Sequence, residues 1–154
     1  MNLWKSLFLA AIVLPSAAFG QAEKVKVDIK GFKLDQQETP QIQATNVVDK
    51  RWKPKAWLEM ELAMDLKLAN DLGGRDGSLP EMQVKYFVGL NQRTAEGKNI
   101  VLTGSISYKD VPANETVVAM GFISPSTLKR VLQKDNGGKG DVAAYGCEVL
   151  MGGE

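Results

Sequence analysis

The feature that most constrains the fold of this chain is a strict alternation of apolar and polar residues along residues 57–68, WLEMELAMDLKL. These residue types have good helix propensity, but a helix would scatter alternate residues around its circumference, whereas a strand places them all on one face. Because periodicity is the stronger signal, we predict a half-buried strand here. Its inward positions are Leu58, Met60, Leu62, Met64, Leu66 and Leu68.

The same alternation recurs along most of the chain. In residues 24–34 the phase shifts at Gly31, which predicts a β-bulge, and in residues 82–90 it predicts that Tyr86 faces inward and Phe87 outward. Turn-forming residues predict a loop at 70–80 and a hairpin turn at 94–98. Strands are predicted at residues 24–34, 41–52, 57–68, 82–90, 99–108, 116–123 and 141–151.

One segment has helical spacing instead. Ser124 and Pro125 suit the N-cap and the first turn of a helix, and the apolar residues Leu128, Val131 and Leu132 follow at helical intervals. About seven strands with one short helix before the last strand predict an all-β, immunoglobulin-like antiparallel sandwich. The Cys…Trp…Cys framework of antibody domains is missing, so the prediction concerns the architecture alone.

The N-terminus has the layout of a secretory signal peptide. Lys5 supplies a positive charge, residues 7–14 (LFLAAIVL) are apolar, and small residues at 18 and 20 precede Gln21. The apolar run is too short for a membrane-spanning helix, which needs roughly 20 residues. We therefore predict a signal peptide at 1–20, no stable membrane span after its cleavage, and one sandwich domain at 21–154. Such a protein would be exported to the periplasm or the outer-membrane surface.

The charge balance argues against two classes of partner. Without residues 1–20, which hold one lysine and no acidic residue, the chain has 18 basic and 18 acidic residues. A formally neutral chain with no basic run is not expected to bind nucleic acid or an anionic membrane.

Histidine is absent and Cys147 is the single cysteine. The chain therefore has no Ser-His-Asp triad, no Cys-His pair and no His-rich zinc site. Cys147 lies in a predicted strand, where a buried inert thiol is the usual outcome. The alternative is an intermolecular disulfide, which would make the protein a homo-oligomer.

Two weaker patterns have simpler explanations than catalysis or metal binding. Ser126 and Lys129 match the Ser-x-x-Lys signature of penicillin-binding proteins and β-lactamases, but the partner motifs of that signature are absent. Turn-forming Asp and Asn explain the two acidic loops as well as calcium binding does. We therefore predict no catalytic residue, no metal site and no cofactor. The loop residues concerned are Asn70, Asp71, Asp76, Asp135, Asn136 and Asp141.

Aromatic residues are the better indication of a binding surface. Trp52 and Trp57 flank a proline turn, and exposed tryptophans would form a platform for a protein or a sugar ring. Tryptophan is also mostly buried on average, so one of the two could instead belong to the core. Phe87, on the predicted outer face of its strand, is a further candidate contact.

Several segments together resemble a known group of proteins. Residues 55–59 (KAWLE), 85–88 (KYFV), 102–105 (LTGS) and 124–130 (SPSTLKR) are similar to small exported immunoglobulin-like proteins of Akkermansia-type verrucomicrobia. Those proteins are associated with a gene cluster for type IV pilus-like assemblies. The resemblance implies an envelope protein that contacts other proteins, and it brings no catalytic residues.

The sequence thus predicts a non-enzymatic interaction module of the cell envelope, accessory to a type IV pilus-like or secretion assembly. Its means of binding would be an exposed sheet edge that pairs with a strand of a partner protein, and residues 99–108 are the candidate edge. The alternative is a carbohydrate-binding module that uses Trp52 and Trp57.

Overall fold

Seven β-strands and one α-helix account for most of the residues that the computed structural model describes, which are 12–15, 24–38 and 55–151. Short 3₁₀ turns lie at Asn70–Leu72, Gly74–Asp76 and Lys139–Asp141. The elements in chain order are β1 (Ile12–Pro15), β2 (Val25–Glu38), β3 (Ala56–Leu68), β4 (Ser78–Arg93), β5 (Asn99–Pro112), β6 (Thr116–Ile123), α1 (Pro125–Leu132) and β7 (Val142–Met151).

The strands form two sheets, one with the order β1-β7-β4-β5 and the other with the order β2-β3-β6. All neighbouring strands are antiparallel except β1 and β7, which are parallel. The orders β2-β3-β6 and β5-β4-β7 correspond to strands A-B-E and C′-C-F of an immunoglobulin-like sandwich. The predicted all-β sandwich with one short helix is therefore confirmed.

The core lies between the inner faces of β3 and β4. The alternate apolar residues predicted to face inward from these two strands are buried, except Leu68 at the end of β3, which is partly buried, and Leu58, Leu62 and Met64 are fully buried. Residues between them on β3, such as Glu61, Ala63 and Asp65, lie on the outer face. The period-2 pattern therefore identified the core correctly on both strands.

Several strands are longer than the sequence predicts. β2 continues to Glu38 rather than ending at residue 34, and β5 continues to Pro112 rather than residue 108. β4 begins at Ser78, so residues 78–80, predicted as loop, belong to a strand. Backbone pairing extends past the alternating side chains, as at Ser78↔Pro112. The strand predicted at 41–52 lies outside the described residues.

Two local predictions are confirmed by the backbone. The register between β2 and β3 shifts between Ile29 and Gly31, as the predicted bulge requires. The predicted hairpin turn is also present, because the Thr94 amide donates to the Lys98 carbonyl at 2.9 Å.

Helix α1 begins as the sequence predicts. Ser124 is the N-cap residue, and its Oγ accepts a hydrogen bond from the Thr127 amide at 3.2 Å. The helix buries Leu128 and Leu132 against the sandwich. A cap of this kind satisfies an amide that has no partner within the helix.

Replacing Ser124 with alanine should lower the free energy of unfolding by about 1 kcal/mol, because the Thr127 amide loses its acceptor. Urea denaturation of wild-type and variant proteins measures the difference. Ser126→Ala is the matched control, since Ser126 touches the cap through its hydroxyl alone, at 2.8 Å from Ser124 Oγ. Equal losses in the two variants would contradict the capping role.

Candidate functional site

Two edge strands, β5 and β6, face each other across one side of the sandwich and leave a cleft of about 490 Å³ between them. Among the described strands, β5 is an edge of its sheet, which agrees with the candidate edge at residues 99–108. We name this feature the β5–β6 cleft. Its lining consists of Trp57, Met60, Tyr86, Val88, residues 102–106, residues 121–124, Thr127 and Arg130.

Tyr108 connects β5 to β6 at Met120, the residue before Gly121 of the cleft lining. Its hydroxyl accepts a hydrogen bond from the Met120 amide at 3.1 Å and donates to the Met120 carbonyl at 3.3 Å. This side chain therefore bridges the two sheets and hydrogen-bonds both the amide and the carbonyl of Met120 on β6. Past this bridge, β5 and β6 each pair with one neighbour among the strands that the structure describes.

Tyr86 is the polar residue inside the β5–β6 cleft. It is 3% exposed, and its hydroxyl has no hydrogen-bond partner among the described residues. Burial raises the pKa of Tyr86 above its usual value near 10, and the neighbouring Tyr108 hydroxyl raises it further, so the phenol stays protonated. An unpaired hydroxyl at such depth costs about 1–3 kcal/mol, and an acceptor from outside reaches it only after the packing around the ring opens.

Glycine at position 121 makes room for the Tyr86 ring. A Cβ atom on Gly121 would lie 3.0 Å from ring atoms Cδ2 and Cε2 of Tyr86 and 3.2 Å from Cε of Met60. The ring also stacks on Phe32, with the ring centroids 6.4 Å apart. The position of the Tyr86 hydroxyl is therefore set by close packing of the ring.

The rim of the β5–β6 cleft combines aromatic and cationic side chains. Trp57 is half-buried, Phe122 is 52% exposed, and Arg130 lies on α1. The N-terminal turn of α1 adds the hydroxyl of Thr127 to the lining. A mainly apolar concave surface with a few polar groups is the usual composition of a binding site.

An apolar row continues from the rim along the outer face of β6. Val118, Met120 and Phe122 point outward at alternate positions and are each 36–52% exposed. Sequence reasoning did not single out this row. The sequence does contain a signal for this row. Residues 116–123 (TVVAMGFI) are apolar at both odd and even positions, and this pattern predicts a strand with apolar surroundings on both faces.

The remainder of that outer face carries paired charges. Lys30 lies 3.0 Å from Asp65, and Lys33 lies 3.0 Å from Glu61. Hydrogen bonds from Thr116 and Lys30 lower the pKa of Asp65. The apolar row on β6 is therefore bordered by a polar, neutralised surface.

The structure separates the aromatic residues that the sequence proposed as contacts. Trp57 lines the β5–β6 cleft, whereas Phe87 is 36% exposed on the outer face of β4, between Thr103 and Gly146 on the neighbouring strands. Trp52 lies outside the described residues. Trp57 and Phe87 thus do not contribute to one surface, and their roles in binding stay predictions.

Cys147 is buried, at 2% exposure, on the inner face of β7. Burial raises the pKa of its thiol to about 11. This arrangement favours the buried-thiol alternative, since an intermolecular disulfide would require β7 to open.

We expect a thiol reagent at pH 8 to modify Cys147 at least tenfold more slowly in the native protein than in 6 M guanidinium chloride, because the buried sulfur is protonated and shielded. Absorbance of the released thiolate follows the reaction. Stability should also fall between pH 9 and 11, where the unfolded thiol ionises and the buried thiol does not. A Cys147→Ala variant lacks that part of the pH dependence. Equal labelling rates in native and denatured protein would show that the thiol is accessible.

The Ser-x-x-Lys pattern does not form a catalytic pair. Lys129 makes an ion pair with Asp135, which raises the pKa of the lysine. A lysine that activates a serine needs a lowered pKa. Ser126 Oγ contacts Ser124 in the capped first turn of α1. Ser126 and Lys129 therefore make local contacts at the helix and do not form a catalytic pair.

The acidic loops likewise contain lysine partners. Asp71 pairs with Lys24, and Asp141 pairs with Lys134 and accepts a hydrogen bond from the Gly138 amide. Among the described residues no three His, Cys, Asp or Glu side chains come together as metal ligands. Each carboxylate contacts a different lysine and not a shared centre, and this holds for Asp71, Asp135 and Asp141.

Fold and cleft together define the class of this protein, which is an all-β, immunoglobulin-like sandwich domain with an open cleft between two edge strands. A protein-family model matches residues 18–154, and the chain belongs to the family that this model describes. No curated protein matches the sequence.

A crystal structure of a protein from Akkermansia muciniphila shares the fold, with a TM-score of 0.68 and 21% sequence identity. The match covers 85% of this chain and 66% of that one, so this chain spans a little under two thirds of its length. The predicted resemblance to Akkermansia-type proteins is confirmed. No helix in the described part of the chain is long and apolar enough to cross a membrane.

Proposed function

We propose that this protein is an exported, non-enzymatic binding module of the bacterial cell envelope, and that the β5–β6 cleft receives a segment of a partner protein. The observation that carries the proposal is the buried hydroxyl of Tyr86, which makes no well-formed hydrogen bond among the described residues and has the Tyr108 hydroxyl as its polar neighbour. A backbone carbonyl of a partner segment is a neutral acceptor that suits a neutral phenol donor.

The surroundings of Tyr86 support a protein as the partner. Strands β5 and β6 are both edges within the part of the chain that the structure describes, and edge strands offer unpaired backbone groups that a partner strand can use. The exposed Phe122 and Met120 extend the apolar surface beyond the cleft. Apolar centres with polar borders are typical of protein interfaces.

The proposed location rests on different observations. The predicted signal peptide at 1–20 indicates export, and the family match begins at residue 18, close to the predicted cleavage site. The resemblance to Akkermansia-type proteins supports an accessory role in a type IV pilus-like or secretion assembly. The partner would then be a component of that assembly.

Site-specific cross-linking in intact cells tests the proposal. A photoreactive amino acid replaces Phe122 at the rim of the cleft, and in a control protein it replaces the exposed Lys98 in the hairpin turn. We expect a discrete cross-linked partner from position 122 that is absent from position 98. Mass spectrometry identifies it, and secretin or pilus-like subunits would support the accessory role. The same products from both positions would contradict the proposal.

The Tyr86→Phe variant tests the donor itself. Removing the hydroxyl should reduce cross-linking from position 122 by about tenfold, the effect of one lost hydrogen bond. The free energy of unfolding should stay unchanged or rise by up to about 1 kcal/mol, because an unsatisfied buried group is removed. Cross-linking at the wild-type level in Tyr86→Phe would exclude Tyr86 as the recognition group.

The carbohydrate-binding alternative is favoured by the place of Trp57 at the rim of the β5–β6 cleft. Stacking on a sugar ring would change the intrinsic tryptophan fluorescence. A panel of envelope glycans therefore distinguishes the two functions. A saturable change that Trp57→Ala abolishes would favour the carbohydrate, and an unchanged spectrum across the panel would count against it.

A further inference from the structure

Strand β6 lacks the usual features that keep an edge strand from pairing with another chain. Within the described part of the chain it pairs with β3 alone. Proteins protect such edges with charged side chains, prolines, bulges or a covering group. β2 carries lysines and aspartates and a register shift before Gly31, and β5 ends in Lys109, Asp110 and Pro112. β6, with the sequence TVVAMGFI, has no charge, no proline and an unbroken register with β3.

The hydrogen bonds of Met120 show which backbone groups of β6 face the open side. Its amide and its carbonyl both bond the Tyr108 hydroxyl, at 3.1 and 3.3 Å, so both groups point away from β3. The direction of the backbone groups alternates along a strand of an antiparallel sheet. Val118 and Phe122 therefore direct their amides and carbonyls to the same open side, and Met120 lies at the centre of this row.

The Tyr108 hydroxyl takes the place of one residue of a neighbouring strand. It donates to a carbonyl and accepts from an amide of the same residue, as a directly opposite residue does in an antiparallel pair. While Tyr108 holds both groups of Met120, a second strand cannot pair across the centre of β6. The ring belongs to β5, in the opposite sheet, so the contact exists only in the folded sandwich.

We propose that Tyr108 is an autoinhibitory contact, which prevents β6 from pairing with β6 of a second copy of this chain. The exposed side chains of the strand fit such a copy, because Val118, Met120 and Phe122 are all apolar. Antiparallel pairing of two identical β6 strands sets these side chains against one another and opposes no like charges. The three-stranded sheets of the two copies would then join into one.

The contact is compatible with the function proposed for the β5–β6 cleft. The cleft lining on β6 begins at Gly121, beyond Met120, so the cleft stays open while Tyr108 is bound. Pairing of two copies along the whole of β6 would instead cover Phe122 at the rim. The Tyr108 contact thus keeps the rim of the cleft accessible.

Self-association of a Tyr108→Phe variant tests the proposal, because this change removes the hydroxyl and keeps the ring. The full-length chain is expressed, the exported protein is purified, and sedimentation velocity over a concentration series gives the dimer dissociation constant. We expect that constant to be at least tenfold lower in Tyr108→Phe than in the wild type, since two hydrogen bonds no longer have to be broken before pairing. Tyr145→Phe, in which the ring packs on Phe32, should sediment like the wild type.

An added charge shows whether the association uses β6. In the Tyr108→Phe protein, Met120→Lys should restore the monomer, because charged side chains on an edge strand prevent pairing. Val101→Lys is the matched control on the outer face of β5, where Val101 is 53% exposed, and it should leave the dimer intact. Association through unfolded protein would not distinguish these two lysines.

Three sedimentation results would overturn the proposal. The first is the same dissociation constant for the wild type and Tyr108→Phe. The second is association that persists with Met120→Lys or is relieved equally by Val101→Lys. The third is association of Tyr145→Phe as strong as that of Tyr108→Phe, because loss of a phenol elsewhere would then have the same effect.

Amide hydrogen exchange tests the contact itself, at concentrations where each protein is monomeric. Exchange of the Met120 amide should be at least tenfold faster in Tyr108→Phe, whereas the Ala119 amide, which points toward β3, should keep its rate. An unchanged rate at Met120 would also overturn the proposal. None of these measurements involves a partner protein, so they stay informative even if the function proposed for the β5–β6 cleft is rejected.

Discussion

Replacing Leu62 with alanine should lower the free energy of unfolding by about 2–5 kcal/mol, because the truncation leaves a cavity in the centre of the sandwich. Leu62 is fully buried on β3, and its register partners are Phe32 on β2 and Ala119 on β6. A central strand hydrogen-bonded on both sides has little freedom to move into the space that is lost. A shift of the urea midpoint at constant m-value measures the effect.

Val118→Ala is the matched control for Leu62→Ala. Val118 is 49% exposed on the outer face of β6, so its truncation should change stability by less than about 0.5 kcal/mol. A loss at Val118 as large as that at Leu62 would contradict the assignment of inner and outer faces. It would also show that the apolar row on β6 is buried in solution.

Replacing Gly121 with alanine should lower the free energy of unfolding by about 1–3 kcal/mol, the usual cost of adding a methyl group to a tightly packed place. The new Cβ would lie 3.0 Å from the Tyr86 ring, which also stacks on Phe32. Displacement of the ring moves the hydroxyl at the floor of the β5–β6 cleft. We therefore expect Gly121→Ala also to reduce cross-linking from position 122.

Gly104→Ala is the control for this substitution. Gly104 lines the same cleft from β5, but no atom lies within 4 Å of a Cβ built on it. Its replacement should leave stability within about 0.5 kcal/mol of wild type. If both glycine variants unfold at the same urea concentration, close packing between Gly121 and Tyr86 is not what the position requires.

Only part of the candidate site could be predicted from the sequence. Trp57 and the edge position of residues 99–108 were both proposed from the sequence, and both belong to the β5–β6 cleft. Tyr86 was predicted only as an inward-facing core residue. Its unpaired hydroxyl depends on what other strands bring near it, and alternation along one strand carries no information about that.

The sequence by itself determined the local elements of this protein. Period-2 alternation specified the inner faces of β3 and β4, the phase shift at Gly31 specified the bulge in β2, and Ser124 and Pro125 specified the start of α1. These features depend on residues close together in the chain, whose side-chain direction and backbone preferences follow from local geometry.

Only the tertiary structure decided which strands became neighbours. The order of strands places β5 and β6 at edges facing each other, brings Gly121 against Tyr86, and sets β1 beside β7. Strand order is selected by the packing of the two sheets as a whole, in which residues far apart in the chain meet. The β5–β6 cleft arises from that arrangement, because it lies between two edges that the pairing of the described strands leaves open.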